Sequence, residues 1–146
     1  MAVQRMDNVG IVVDDMDEAI AFFTELGLEV DGRSVVEGEF ADECVGLDGI
    51  RCEIAMLRTP DGRGALELSR YLNPVASAFS PQDPPHNIVG MHRVMFAVDD
   101  LDDTLERLRP HGGVPLRGVG DYEGVFRLCY VRGPSGIIVG LAEQTG

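Results

Sequence analysis

Asn8-Val9-Gly10-Ile11-Val12-Val13-Asp14-Asp15-Met16-Asp17 is answered 85 positions later by Arg93-Val94-Met95-Phe96-Ala97-Val98-Asp99-Asp100-Leu101-Asp102. Each stretch is an apolar run that passes through Val-Asp-Asp into the opening of a helix. Alternation of side chains at period two is the mark of a strand with one covered face, and aspartate is a side chain that caps helix starts. The offset persists to Gly27 and Gly112, which stand where each helix must stop. A strand-helix unit repeated inside one chain predicts two equivalent modules, which offer equivalent positions to a shared ligand.

Working outward, Met16, Ile20 and Phe23 share one stripe of a helix predicted over Met16 to Leu26, with Asp14 or Asp15 as its cap. Strands follow at Leu28 to Val35, Ile50 to Thr59 and Ala65 to Tyr71, the last two joined by the turn Thr59-Pro60-Asp61-Gly62. The polar, glycine-containing stretch from Val36 to Gly49 shows no period. In the second copy, Arg93 to Val98 is a strand, and Leu101, Leu105 and Leu108 form the helix stripe until Pro110 and Gly112. Val114 to Val119 is the next strand, and Phe126 to Arg132, the turn Gly133-Pro134-Ser135-Gly136 and Ile137 to Glu143 make the closing hairpin. Residues 73–90 hold four of the eight prolines, Pro74, Pro81, Pro84 and Pro85, and read as a linker. The order is βαβββ twice, an α+β fold with curved sheets and outer helices. One domain over residues 1–146 thus contains modules at 5–72 and 91–144.

A chain of 146 residues is long enough for one real core and too short for a two-domain enzyme. Its formal net charge of -13 repels nucleic acid and anionic membrane, so neither is expected as a partner. No apolar run approaches the roughly 20 residues that span a bilayer, and the start Met1-Ala2-Val3-Gln4-Arg5 lacks a signal-peptide core, so a cytoplasmic protein is expected. Cys44, Cys52 and Cys129 are an odd number without Cys-x-x-Cys spacing and read as buried or half-buried small apolar residues.

Two motifs, Met6-Asp7-Asn8-Val9-Gly10-Ile11-Val12-Val13-Asp14-Asp15 and Arg132-Gly133-Pro134-Ser135-Gly136-Ile137-Ile138-Val139, resemble the opening and closing segments of the vicinal oxygen chelate superfamily. That superfamily includes glyoxalase (lactoylglutathione lyase), bleomycin resistance proteins, extradiol dioxygenases and methylmalonyl-CoA epimerase. The resemblance spans nearly the whole chain and implies two βαβββ modules around a ligand cavity, in a homodimer. It leaves function open, because this fold hosts lyases, isomerases, oxygenases and drug binders.

Metal-using members draw ligands from the first and last strands of each module, positions that the resemblance assigns to Asn8, Glu67, Arg93 and Gly140. Only Glu67 is an ordinary ligand type: Gly140 has no side chain, and a guanidinium has no lone pair to give. Two like charges about 4 Å apart repel by about 4 kcal/mol at an effective dielectric of about 20, and a divalent ion fares worse. No tightly bound metal and no other cofactor is therefore expected, and Arg93 is expected to take the cation's place, paired with Glu67. His92 adjoins Arg93 but points to the other face of a strand, while His86 and His111 read as loop and helix-end residues.

The pleat puts Asn8, Gly10, Val12, Ala65, Glu67 and Ser69 on the cavity face, with Arg93, Met95, Ala97, Ile138, Gly140 and Ala142 as the second set. Glu67 is the candidate general base for taking a proton next to a carbonyl, with Arg93 or Asn8 holding the oxyanion; the alternative is a structural ion pair with Arg93. Tyr122 and Glu123, in the glycine-rich segment from Gly118 to Gly124, are candidate lid residues, or an ordinary loop. Tyr71 and Tyr130 are placed at strand ends near the rim, and Arg127 and Arg132 are candidate contacts for an acidic ligand group or plain surface arginines. Two functions remain: a metal-free binder that sequesters a small molecule, similar to the bleomycin resistance proteins and with an acidic exterior that attracts a cationic ligand, or an enzyme, either metal-independent or a metal-dependent lyase, isomerase or dioxygenase such as lactoylglutathione lyase.

Overall fold

Both repeated stretches fold as a sheet-edge strand leading into a helix. The computed structural model describes residues 4–77, 86–87 and 93–146, and divides into two compact units, 1–77 and 78–146. His92 and most of the expected linker, 78–85 and 88–90, lie outside the described residues.

The first unit runs β1 (Val9–Val12), α1 (Met16–Leu26), β2 (Glu29–Glu37), α2 (Glu39–Val45), β3 (Arg51–Arg58) and β4 (Ala65–Asn73). Its sheet has the order β1-β4-β3-β2, with β1 parallel to β4 and the other pairs antiparallel. Asp15 is the cap of α1, its Oδ1 accepting the Glu18 N–H at 3.0 Å. Gly27 ends that helix at φ 121°, a left-sided conformation that side chains resist. Ile11, Ala55, Leu57, Leu66 and Leu68 are buried on one face of the sheet, and α1 packs on β4 with Phe22 and Phe23 fully covered. The two rings meet edge to face at 5.1 Å. Truncating either to alanine costs about 3–5 kcal/mol.

The aperiodic stretch after β2 contains a helix, α2, which the sequence does not announce. Seven residues with one buried side chain, Ala41, carry no readable stripe. Asp42 fastens it, its carboxylate accepting the N–H groups of Gly49 at 2.9 Å and Ile50 at 2.8 Å.

The second unit runs β5 (Arg93–Ala97), α3 (Leu101–Leu108), a 3-10 turn (Arg109–His111), β6 (Val114–Pro115), β7 (Gly120–Tyr122), β8 (Phe126–Arg132) and β9 (Ile138–Gln144). The order β5-β9-β8-β6 repeats that of the first sheet, again with its first strand parallel to its last. Asp100 caps α3 as Asp15 caps α1, its Oδ1 accepting the Asp103 N–H at 3.0 Å. The covered stripe of α3 is Leu101, Thr104 and Leu108, with Leu105 half-buried. Thr104 tolerates burial because its hydroxyl donates to the Asp100 carbonyl at 2.6 Å.

Two expectations for this unit need correction. The strand expected over Val114 to Val119 is only Val114–Pro115: the Leu116 N–H still donates to the Tyr130 carbonyl at 2.8 Å, and the chain then bends away at residues 116–117. The expected loop around Tyr122 is instead β7, which joins β8 in a hairpin. Glu123 at φ 48° and Gly124 at φ 72° form the tight turn, closed by the Val125 N–H on the Tyr122 carbonyl at 2.8 Å. Among the described residues no helix is long and apolar enough to cross a membrane.

Candidate functional site

Each sheet has one face against its helix and one face without a helix, and Glu67, Arg93, Met95, Tyr122 and Tyr130 fall on the latter. In the first unit, Gly10 is level with Glu67 and Val12 with Ser69 across β1 and β4, while Met56 faces Glu67 and Ile54 faces Ser69 across β3 and β4. Asn8, just ahead of β1, is exposed, and Glu67 is half-buried. Cys52 and Tyr71 face each other in the same surface. Burial pushes the Cys52 thiol up; a hydrogen bond with Ser69 opposes this, and the charge of Glu67 adds to it. The Tyr71 phenol is pushed up by burial first, then by Cys52 and Glu67. Glu67 thus stands among groups that hold their protons.

The second sheet presents its open face in rows. Arg93, Ile138 and Arg132 lie side by side; the next row is Met95, Gly140 and Tyr130; then come Ala97, Ala142 and Leu128; and Phe126 closes the series with Tyr122 beside it. The Arg93 guanidinium carbon stands 5.5 Å from the centroid of the Tyr130 ring, a cation-π distance. His86 lies against the same ring at 4.7 Å. Tyr122 and Phe126 stack at 5.3 Å with ring planes 20° apart. A Cβ on Gly140 would stand 3.0 Å from Met95 Cε and 3.1 Å from Tyr130 Cε1, so those two side chains close over the glycine.

Pleat alternation separates the two arginines that the sequence groups together. Arg127 points to the helix side, where its Nη1 and Nη2 donate to Asp102 at 3.2 and 2.9 Å and Glu143 lies 3.6 Å away. Its hydrogen bond with Asp102 raises the guanidinium further and draws the Asp102 carboxyl below its usual range. Arg127 is therefore a tie between α3, β8 and β9, not a ligand contact. Arg132 is on the open face, its Nη1 donating to the Gly136 carbonyl at 3.1 Å.

Other placements differ from expectation. Tyr130 is inside β8 rather than at a strand end. Cys44 is exposed on α2, whereas Cys52 and Cys129 are buried. Glu67 belongs to the first unit and Arg93 to the second. Phe126 and His86 were not expected in a site; the alternation of Phe126, Leu128 and Tyr130 signals the first, and no periodic signal exists for the second. A hollow of about 500 Å³ beside α2 is lined by Glu39, Asp42, Glu43, Gly46, Leu47 and Asp48, none of them an expected site residue.

A family model described as the Glyoxalase/Bleomycin resistance protein/Dioxygenase superfamily matches residues 5–141. A glyoxalase family protein from Bacillus cereus is 48% identical, with a TM-score of 0.94 over 100% of this chain and 99% of its own. An antibiotic binding protein from Streptomyces sp. CB03234 shares the fold at 18% identity, with a TM-score of 0.61 over 99% of this chain and 98% of its own. A glyoxalase I mutant from Zea mays shares it at 21% identity and a TM-score of 0.70, over 97% of this chain and 46% of its own. No curated protein matches the chain.

Proposed function

The chain belongs to the glyoxalase/bleomycin resistance protein/dioxygenase superfamily, and from that membership we propose that it binds a small organic molecule without a resident divalent metal. The observation that carries this reading is the closure of Met95 and Tyr130 over Gly140, at 3.0 and 3.1 Å from where a Cβ would be. The position at which the family resemblance expects a ligand is filled by a thioether and a phenol ring. Of Asn8, Glu67, Arg93 and Gly140, only one carries a carboxylate, and one carries a permanent positive charge. Among the described residues no three His, Cys, Asp or Glu side chains are grouped as a metal site requires. This donor set does not fit a divalent ion.

A binding role lies within the range of the fold, which an antibiotic binding protein shares. Homodimer formation, by family resemblance, and a cytoplasmic location belong to the same proposal. The test is elemental analysis of protein purified without chelator, combined with a thermal-shift screen of metabolites and antibiotics. The expected result is substoichiometric metal and at least one compound that raises the unfolding midpoint by mass action. Stoichiometric divalent metal whose removal abolishes ligand binding overturns the reading and favours a metal-dependent lyase or dioxygenase.

A second reading, a metal-independent enzyme, is favoured by Glu67, the acid on the open face of the first sheet beside the protonated Cys52 and Tyr71. There it abstracts a proton next to a carbonyl, as a lyase or isomerase requires. Glu67→Gln separates the readings: loss of turnover at unchanged stability supports catalysis, and loss of stability without any turnover in the parent supports a structural acid.

A further inference from the structure

We propose that the open face of the second sheet selects an elongated organic anion, its acid group at Arg93 and its flat apolar body reaching toward Tyr122 and Phe126. This inference rests on the small-molecule reading above and names the chemical class of the ligand.

Charge is sorted between the two faces of this sheet. On the helix side, Arg127 is held by Asp102 and lies near Glu143. On the open side, Arg93 rests on the Tyr130 ring. Arg132 stands two strands away in the same row, separated by Ile138. A guanidinium at cation-π distance from a ring interacts with the ring face through its charge, and its N–H groups can receive a carboxylate or another oxyanion with two parallel hydrogen bonds. The net charge of -13 discourages anions at long range, so selection must come from close contact with this group.

The rest of the face supplies the body of the ligand. Arg132 stands six positions from Phe126 along β8, about 20 Å of strand. Between these ends the rows are small or apolar, with Ala142 and Leu128 side by side and Gly120 level with Leu128. At the far end Tyr122 is 59% exposed and Phe126 38% exposed, although both are aromatic and stacked on each other. An exposed aromatic pair of that kind adds a stacking surface for another ring. One end therefore recognises charge and the other a plane.

The test uses the full chain and two dyes of similar shape, anionic 1-anilinonaphthalene-8-sulfonate and neutral N-phenyl-1-naphthylamine, titrated by fluorescence. Wild type is expected to prefer the anion by about tenfold, as a charge-assisted contact implies. Arg93→Gln is expected to abolish that preference, while Tyr122→Ala weakens both dyes by about threefold. In wild type, with no variant needed, 1-naphthoate is expected to displace the bound anion and 1-naphthalenemethanol at equal concentration to leave it in place. Equal displacement by the two, or an Arg93→Gln protein that keeps the preference, overturns the anion inference and leaves the binding role standing. Failure of both dyes and of the whole thermal-shift screen overturns the binding role itself.

Discussion

Tyr130 and Gly140 face each other across β8 and β9, and the phenol ring rests where a side chain on Gly140 would have to be. The flexible end of Met95 can turn aside, but the ring is held by its strand. Gly140→Ala is therefore expected to destabilise the protein by about 1–3 kcal/mol, as overpacking does. Adding Met95→Ala should recover part of that loss. Urea midpoints of the two variants provide the check, and an unchanged midpoint in Gly140→Ala would refute the packing described.

Asp15 and Asp100 occupy equivalent places at the heads of α1 and α3, each accepting one backbone N–H at 3.0 Å. Replacing either with alanine should cost about 1 kcal/mol. The two losses should be alike if the modules repeat in energy as they do in form. Thermal or urea unfolding of the two single variants tests this.

The contact between Arg127 and Asp102 predicts a pH dependence of stability. Because the hydrogen bond from Arg127 lowers the folded-state pKa of Asp102, its contribution is present above the ordinary aspartate value of about 3.9 and disappears as pH falls through the lower folded value. Asp102→Asn should melt below wild type at neutral pH, and the two curves should converge in strong acid. A gap that widens on acidification would contradict the assignment.

Alkylation should distinguish the thiols. Cys44 is exposed, whereas burial shields Cys52 and Cys129 and raises both thiols. Native protein treated with iodoacetamide should therefore be modified first at Cys44, as read by peptide mass spectrometry. Cys44→Ser should remove the fast phase.

The doubled Val-Asp-Asp exit made the architecture legible, because it fixes a strand, a cap and a helix start within ten residues, twice. Pleat alternation then placed Glu67, Arg93 and Met95 on open faces without any knowledge of tertiary contacts. Alternation failed beyond Leu116, where the chain bends away from β8 after a last bond to the Tyr130 carbonyl, and Val119 suggests a strand that does not continue. The glycines around Tyr122 suggest a loop, whereas Tyr122 ends a strand and Glu123 and Gly124 adopt the positive φ of a hairpin turn. The helix at Glu39–Val45 is too short to show a period. His86 was invisible as a site residue because its contact with Tyr130 comes from a stretch without regular structure.

Among the described residues β7 of the Tyr122–Phe126 hairpin pairs with β8 alone, and the Val125 carbonyl in its turn accepts the Thr145 and Gly146 N–H groups at 2.9 and 3.0 Å. Evolution can lengthen, shorten or recolour this appendage while leaving the load on α3 and β9 untouched. Diversification among paralogues should concentrate there, making the ribbon a tuning peg for ligand choice on an otherwise unaltered frame.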